Sequence, residues 1–501
     1  MTEYAYKAKL IINSGAPLKI AGFTVKDGLF HQVFDNESAF NNYVKRNNCQ
    51  LTDFANKAIL PGQIDAHTIA TFISRFVQSV SLKRVYDPVT LKTHIQKSAL
   101  RELPEHGFAF FTNWSEELLP LDKEKLNEIT QAPTAIFNSS YHGALLNELA
   151  LKKLENENFF KDHQKPNNGI LTGPPYDAFV LRTSPSPSEF AVNILLYERE
   201  MLAKGITTVH DMVVQKPEEL KILATLSEKN MLKARWRVYV TNTTLLHDAP
   251  VPTDAFKLMG VKLFIDGSYG MKTAWQDKAH AYSDGKTGVQ KLSAKDIVKT
   301  AQQAAELGFK HVAAHCIGYK ACETFLDAVE ELRRSIYTKE MVFRALHFQT
   351  VDKKLINRAQ ELKVFVSMQP GFSNDVYLFE KDIPIKPDIN PMRDVAHALK
   401  EKFCLGSDSM PLGLLENAEL CLTPPFESQK ITDNFVKLLP YFTRNCARVT
   451  HEHNHLGAIK IGHSADFIIT NQLPRSKNDL KNTFIEQTWC QGAQVYTKPE
   501  E

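Results

Sequence analysis

The chain has 501 residues, and its 60 lysines and arginines against 57 aspartates and glutamates leave a formal charge of +3. That balance gives no electrostatic reason to expect a nucleic-acid partner. Hydrophobic residues make up 43% and charged residues 23%, with 22 glycines and 24 prolines, which excludes a collagen-like or wholly disordered chain.

No stretch approaches the ~18 consecutive apolar residues of a membrane span, and the opening MTEYAYKAKLIINSG alternates like a strand, without a signal peptide's apolar core. The seven cysteines are widely spaced and form no C-x-x-C pair. Reduced thiols in a cytoplasmic protein are expected. The first ~58 residues predict short strands at KAKLIIN, KIAGFTV and LFHQVF. The far end has the same texture, in ADFIITNQ (465–472) and TFIEQTWCQGAQVY (483–496). One small β-sandwich domain built from both termini, 1–58 with 455–501, is the expectation.

Between these ends, strand and helix patterns alternate. AILPGQIDAH (58–67), GITTVHD (205–211), RWRVYVTN (235–242), VKLFID (261–266), KHVAAH (310–315), VFRALH (342–347), KVFVSMQP (363–370) and FCLGSD (403–408) predict eight strands. Helical patterns such as SAKDIVKTAQQAAELG (293–308) and ACETFLDAVEELRRS (321–335) lie between them. Eight strands with intervening helices predict an α/β fold, a (β/α)8 TIM barrel over 59–454. Residues ~68–204 then form a long insertion covering the barrel mouth, with strands of its own at GFAFFTNW (107–114) and TAIFNSS (134–140). A doubly wound open sheet is the alternative, but the chain has no G-x-G-x-x-G or Walker A loop.

The strand ends carry the chemistry. Strand one ends in Asp65 and His67, strand two in His210 and Asp211, and strand four carries Lys262 and ends in Asp266. Strands five, six and eight end in His315, His347 and Asp408. A single histidine on an apolar strand is more often a core residue than a ligand, and a strand-end aspartate is often a helix cap. Three such residues converging on one barrel mouth suit a divalent metal. Lys262 stands inside an apolar strand, where an ammonium needs a carboxylate partner or loses its proton.

These motifs resemble the metal-dependent amidohydrolases, specifically the YtcJ-like branch (amidohydrolase family 3) that includes N-substituted formamide deformylase. ILPGQIDAH, SSYHGALLNELAL, GITTVHD, VKLFIDGSYGMKTA, VAAHCIGYKA, RALHFQ, VSMQP, LGSDSMP and GAIKIGHSADFIIT follow in the family's order. The resemblance implies hydrolysis of carbon–nitrogen bonds in non-peptide amide or N-acyl substrates. His67, Lys262, His315, His347 and Asp408 would hold one or two divalent ions, zinc first, with a carbamate on Lys262. Asp408 would also be the general base, and His142 and Gln369 are expected at a small-molecule substrate. A homodimer is the default assembly.

Three positions depart from the family pattern. Ile69 stands where the strand-one His-x-His motif has its second histidine, Tyr319 replaces an aspartate, and Met271-Lys272 replace Ser-Arg. Three outcomes follow: a single ion held by Lys262, His315 and His347; recruitment of His210 or His142 to restore two ions; or a barrel without metal. The single-ion site is the adopted expectation. The rival function is a degenerate, non-catalytic barrel that binds a small molecule or partner. Isomerase or lyase chemistry on the same scaffold is a third option.

Overall fold

Gly62 divides what the sequence reads as one strand. In the computed structural model, which describes residues 2–500 except 16–18, 84, 99–102, 104–105, 116–117, 140 and 375–388, Ala58–Pro61 and Gln63–Thr68 lie in different sheets. A Cβ on Gly62 would meet the Thr207 side chain at 2.6 Å and Asp466 Cβ at 3.0 Å. Glycine lets the backbone cross between sheets at this crowded point.

Two compact units emerge, one of Met1–Thr71 with Tyr197–Glu501 and one of Phe72–Leu196. The first contains an eight-stranded, all-parallel sheet whose spatial order follows the chain. Its strands are β1 (Gln63–Thr68), β2 (Ile206–Val214), β3 (Arg235–Val240), β4 (Phe256–Phe264), β5 (His311–Cys316), β6 (Val342–His347), β7 (Phe365–Met368) and β8 (Phe403–Leu405). Every residue of β1, β2, β3, β5 and β6 is buried, as a parallel sheet covered on both faces requires. The edge strands meet where the Asp408 N–H donates to the His67 carbonyl at 2.7 Å and the Ser407 N–H to Asp65 Oδ1 at 2.9 Å. The fold is a TIM-type α/β barrel with additional sheets.

The predicted helices lie between the strands. Helix Ala294–Glu306 opens on a capping box, in which the Ser293 N–H donates to Asp296 Oδ2 at 2.8 Å and the Asp296 N–H to Ser293 Oγ at 3.3 Å. It buries Ile297, Val298, Ala301 and Ala304, one face at helical spacing. Helix Tyr319–Arg334 follows β5 in the same way.

Strands from both chain ends share a six-stranded sheet, in which Ala58–Pro61 pairs with Leu10–Ile12 on one side and Phe467–Thr470 on the other. A four-stranded sheet holds Tyr4–Lys7, Gly22–Lys26, Leu29–Phe34 and Gln50–Asp53. Tyr6, Phe23 and Phe30 of the one sheet and Ile59, Phe467 and Ile469 of the other form a single apolar cluster. The terminal run 483–496 corresponds to a hairpin of Ile485–Cys490 and Ala493–Thr497. Its two-residue turn, Gln491-Gly492, has φ of 51° and 70°, the positive angles that a tight hairpin needs.

The second unit is built on a five-stranded sheet. Its strands include Ala109–Trp114 and Thr134–Asn138, the two runs that the sequence marks as strands.

Candidate metal centre

The barrel's register sets the face of each candidate. Lys262 pairs with Ala313 and Phe264 with His315, so Lys262 and His315 share one face of the sheet. Cys316 pairs with His347, so strand alternation alone would put His347 on the face opposite His315. The backbone at His347 instead leaves the extended region, with φ of 70°, and Phe348 follows at 48°. The two imidazole rings then lie 4.5 Å apart, centroid to centroid.

His67, His347 and Asp408 come together as a cluster, with one ligand atom of each within 4.8 Å of the others. Among the described residues this is the one group of three or more histidine, cysteine, aspartate or glutamate side chains so arranged. His67 Nε2 lies 3.4 Å from Asp408 Oδ1, close to the ~3.3 Å edge of a tetrahedron with bonds of about 2.0 Å. Two imidazoles and a carboxylate suit zinc and other borderline divalent ions. The residues therefore fit a divalent metal.

Each ligand is held from behind. Gln369 Nε2 is 3.0 Å from His67 Nδ1, and the His67 N–H donates to Asp65 Oδ1 at 3.1 Å. The His347 ring stacks on Phe372 at 5.3 Å and 11°. Asp408 has φ of 51° and Ser409 of 63°, so this ligand, like His347, sits on left-handed backbone. Non-glycine residues hold that conformation at a cost, and such strain gathers at functional sites.

His315 stands beside the cluster, not in it. Its Nε2 faces the Gly267 carbonyl at 2.9 Å and Asp266 Oδ1 at 3.4 Å. Asp266 accepts backbone N–H bonds from Trp275, Ile317 and Gly318, tying the loops after β4 and β5 together. Burial pushes its carboxyl up to about 7.

Burial also governs the charges. It pulls the Lys262 amine down to about 7, against the pull of the Asp408 carboxylate. Asp408 is pushed up to about 7 by burial, with the Lys262 ammonium opposing and Asp65 reinforcing the shift. His67 is driven well below its ordinary value, first by burial and then by Lys262, so a neutral imidazole faces the cluster.

The remaining candidates do other things. His210 is buried, with Nδ1 3.2 Å from Arg344 Nη1, and Asp211 Oδ2 accepts the Thr71 N–H at 3.2 Å. His142 belongs to the Phe72–Leu196 unit, where its N–H donates to Asn138 Oδ1 at 3.1 Å. Tyr319 donates its hydroxyl to Asp352 at 3.1 Å and stacks on His280. Sequence reasoning passes over Arg344, a buried guanidinium that donates to Ser367 Oγ at 2.7 Å and to the Ala66 carbonyl. The signal that finds it is the one that marks Lys262, a cation inside an apolar strand.

A family model described as "Amidohydrolase family" matches residues 50–496. The chain belongs to the amidohydrolase family. Its relatives include the Arabidopsis thaliana protein LONG AFTER FAR-RED 3, 24% identical over 88% of this chain and 82% of that one. YtcJ of Bacillus subtilis (strain 168), an amidohydrolase by name, is 23% identical over 88% of this chain and 89% of its own length. Among solved structures, a metal-dependent hydrolase from Pyrococcus furiosus superposes with a TM-score of 0.77 at 22% identity, covering 95% of this chain and 100% of that one. One from Pyrococcus horikoshii OT3 gives the same TM-score at 21% identity, covering 95% and 98%. In this amidohydrolase, half-buried Ile69 follows two residues after His67.

Proposed function

We propose that this amidohydrolase hydrolyses carbon–nitrogen bonds of non-peptide amide or N-acyl substrates, with a divalent ion, zinc first, at His67, His347 and Asp408. The observation that carries the reading is the convergence of those three ligand atoms within 4.8 Å at the carboxyl ends of β1, β6 and β8. A bound ion supplies an acidified water and polarises the substrate carbonyl. Asp408, a carboxylate beside the place of that water, is the candidate general base that later protonates the leaving amine. Burial lowers the Lys262 amine to about 7, and an uncharged amine is the form that takes up carbon dioxide, so Lys262 is the candidate for a carbamate. His315, beside the cluster, is the candidate contact for the substrate.

Elemental analysis of protein purified without chelator tests the reading, together with a panel of N-acyl amides. About one zinc, iron or manganese per chain is expected. Asp408→Asn is expected to lower kcat at least 100-fold on any substrate found. No metal after supplementation with zinc and bicarbonate, or unchanged turnover in both Asp408→Asn and His315→Ala, overturns it. Ile69 favours one second reading, a barrel that retains the fold and binds a small molecule without turnover, and a metal-free result selects it.

A further inference from the structure

Gln369 lies at the end of β7 and is 1% exposed. Its amide nitrogen faces His67 Nδ1 at 3.0 Å and the Ser367 carbonyl at a weaker 3.3 Å. Among the described residues, none donates to its buried amide oxygen. With the amide nitrogen forward, His67 Nδ1 is the acceptor and the ring proton sits on Nε2. That N–H points toward Asp408 Oδ1, 3.4 Å away. A protonated Nε2 cannot bind a cation, so in this arrangement His67 is closed to metal.

Rotating the Gln369 amide by about 180° exchanges its two ends. The oxygen then accepts from Nδ1–H, the ring proton has moved from Nε2 to Nδ1, and the Nε2 lone pair faces the cluster. The rotation exchanges one set of contacts for another: the oxygen gains the Nδ1–H donor, and the nitrogen gives up its 3.3 Å contact with the Ser367 carbonyl. The fit is specific to a side chain with a donor and an acceptor at one end.

We propose that Gln369 is a positioning residue that selects the tautomer of His67, closed to a cation with its nitrogen forward and open with its oxygen forward. The inference rests on the metal reading of the cluster above. His67 is the sole histidine that β1 offers, and its tautomer decides whether that strand contributes a ligand.

Two measurements test this. Zinc affinity, by competition with a chromophoric chelator, is compared for wild type, Gln369→Glu and Gln369→Leu, with thermal unfolding to verify each fold. A carboxylate at 369 only accepts, so Gln369→Glu is expected to stay within a few-fold of wild type or to bind more tightly. Gln369→Leu is expected to weaken zinc 10–100-fold, the usual loss when a partner behind a metal-bound imidazole is removed. Adding His67→Gln should abolish the difference between the two variants.

The second measurement is the 15N spectrum of histidine-labelled, metal-free protein, with His67→Gln used to assign the ring. It should show the Nε2–H tautomer in wild type and Nδ1–H in Gln369→Glu. Equal zinc affinity in Gln369→Leu and wild type, or an Nδ1–H His67 in the metal-free wild type, overturns the proposal. So does a raised KM with unchanged zinc affinity, which makes Gln369 a substrate contact. Wild type that binds no zinc sinks the metal reading instead, and the tautomer spectra still decide the role of Gln369.

Discussion

His347 and Asp408 reach the cluster because their backbones are left-handed, with φ of 70° and 51°. For a residue with a Cβ that conformation costs roughly 1 kcal/mol, and glycine escapes it. At an ordinary position glycine is less stable than alanine. The order should invert here: Asp408→Gly is expected to unfold about 1 kcal/mol later than Asp408→Ala in a denaturant titration of metal-free protein. Alanine as stable as glycine would mean that the loop relaxes and stores no strain. Asparagine tolerates positive φ better than most residues, so Asp408→Asn isolates the loss of the carboxylate from any change in backbone energy. That makes it the right variant for activity.

At the scale of elements, the eight barrel strands were legible because each is a short run rich in β-branched and aromatic residues ending at a polar side chain. The break at Gly62 was not, since nothing within AILPGQIDAH says that Thr207 and Asp466 will crowd it. Gly62→Ala is therefore expected to destabilise the protein by about 1–3 kcal/mol through overpacking, measured by chemical denaturation. An unchanged midpoint would show that Thr207 swings aside. The face of His347 was also hidden. Alternation along VFRALH, with Cys316 opposite His347, points it away from His315, and the turn of the chain at the strand end reverses that. Arg344 and Lys262 show the complementary case, where a charge inside an apolar run is visible in sequence although its partners are not.

Across the larger unit, the barrel is tied to the C-terminal segment by buried ion pairs. Arg235 of β3 donates to Asp466 at 2.6 Å and to Ser464 at 2.7 Å. Arg237 of β3 grips both oxygens of Glu452 at 2.8 Å, and Lys257 of β4 adds a third contact at 2.7 Å. Burial pushes Glu452 up, but the Arg237 and Lys257 charges outweigh it and hold the carboxyl at about 2. A carboxylate depressed on folding stabilises above its unfolded value and loses that stabilisation as pH falls through the folded value. Here the window runs from the ordinary 4.5 down to about 2, a contribution of about 3 kcal/mol. Glu452→Gln is expected to be destabilised at pH 7, because Arg237 stays buried without its countercharge. Its unfolding free energy should fall less steeply than that of wild type between pH 4.5 and 2. Parallel pH profiles for the two proteins would remove the pair from the acid response.

Sequence by itself determined the barrel and the chemical types at its mouth. Strand periodicity, the order of the motifs and the polar residues that end each strand are local properties of the chain. The tertiary structure decided which of those residues meet. It joined His67, His347 and Asp408, turned His315 Nε2 to the Gly267 carbonyl, and set Gln369 on a histidine 302 positions away. Contacts between side chains so distant in sequence depend on register, backbone handedness and the closure of β1 against β8, and no local pattern encodes those.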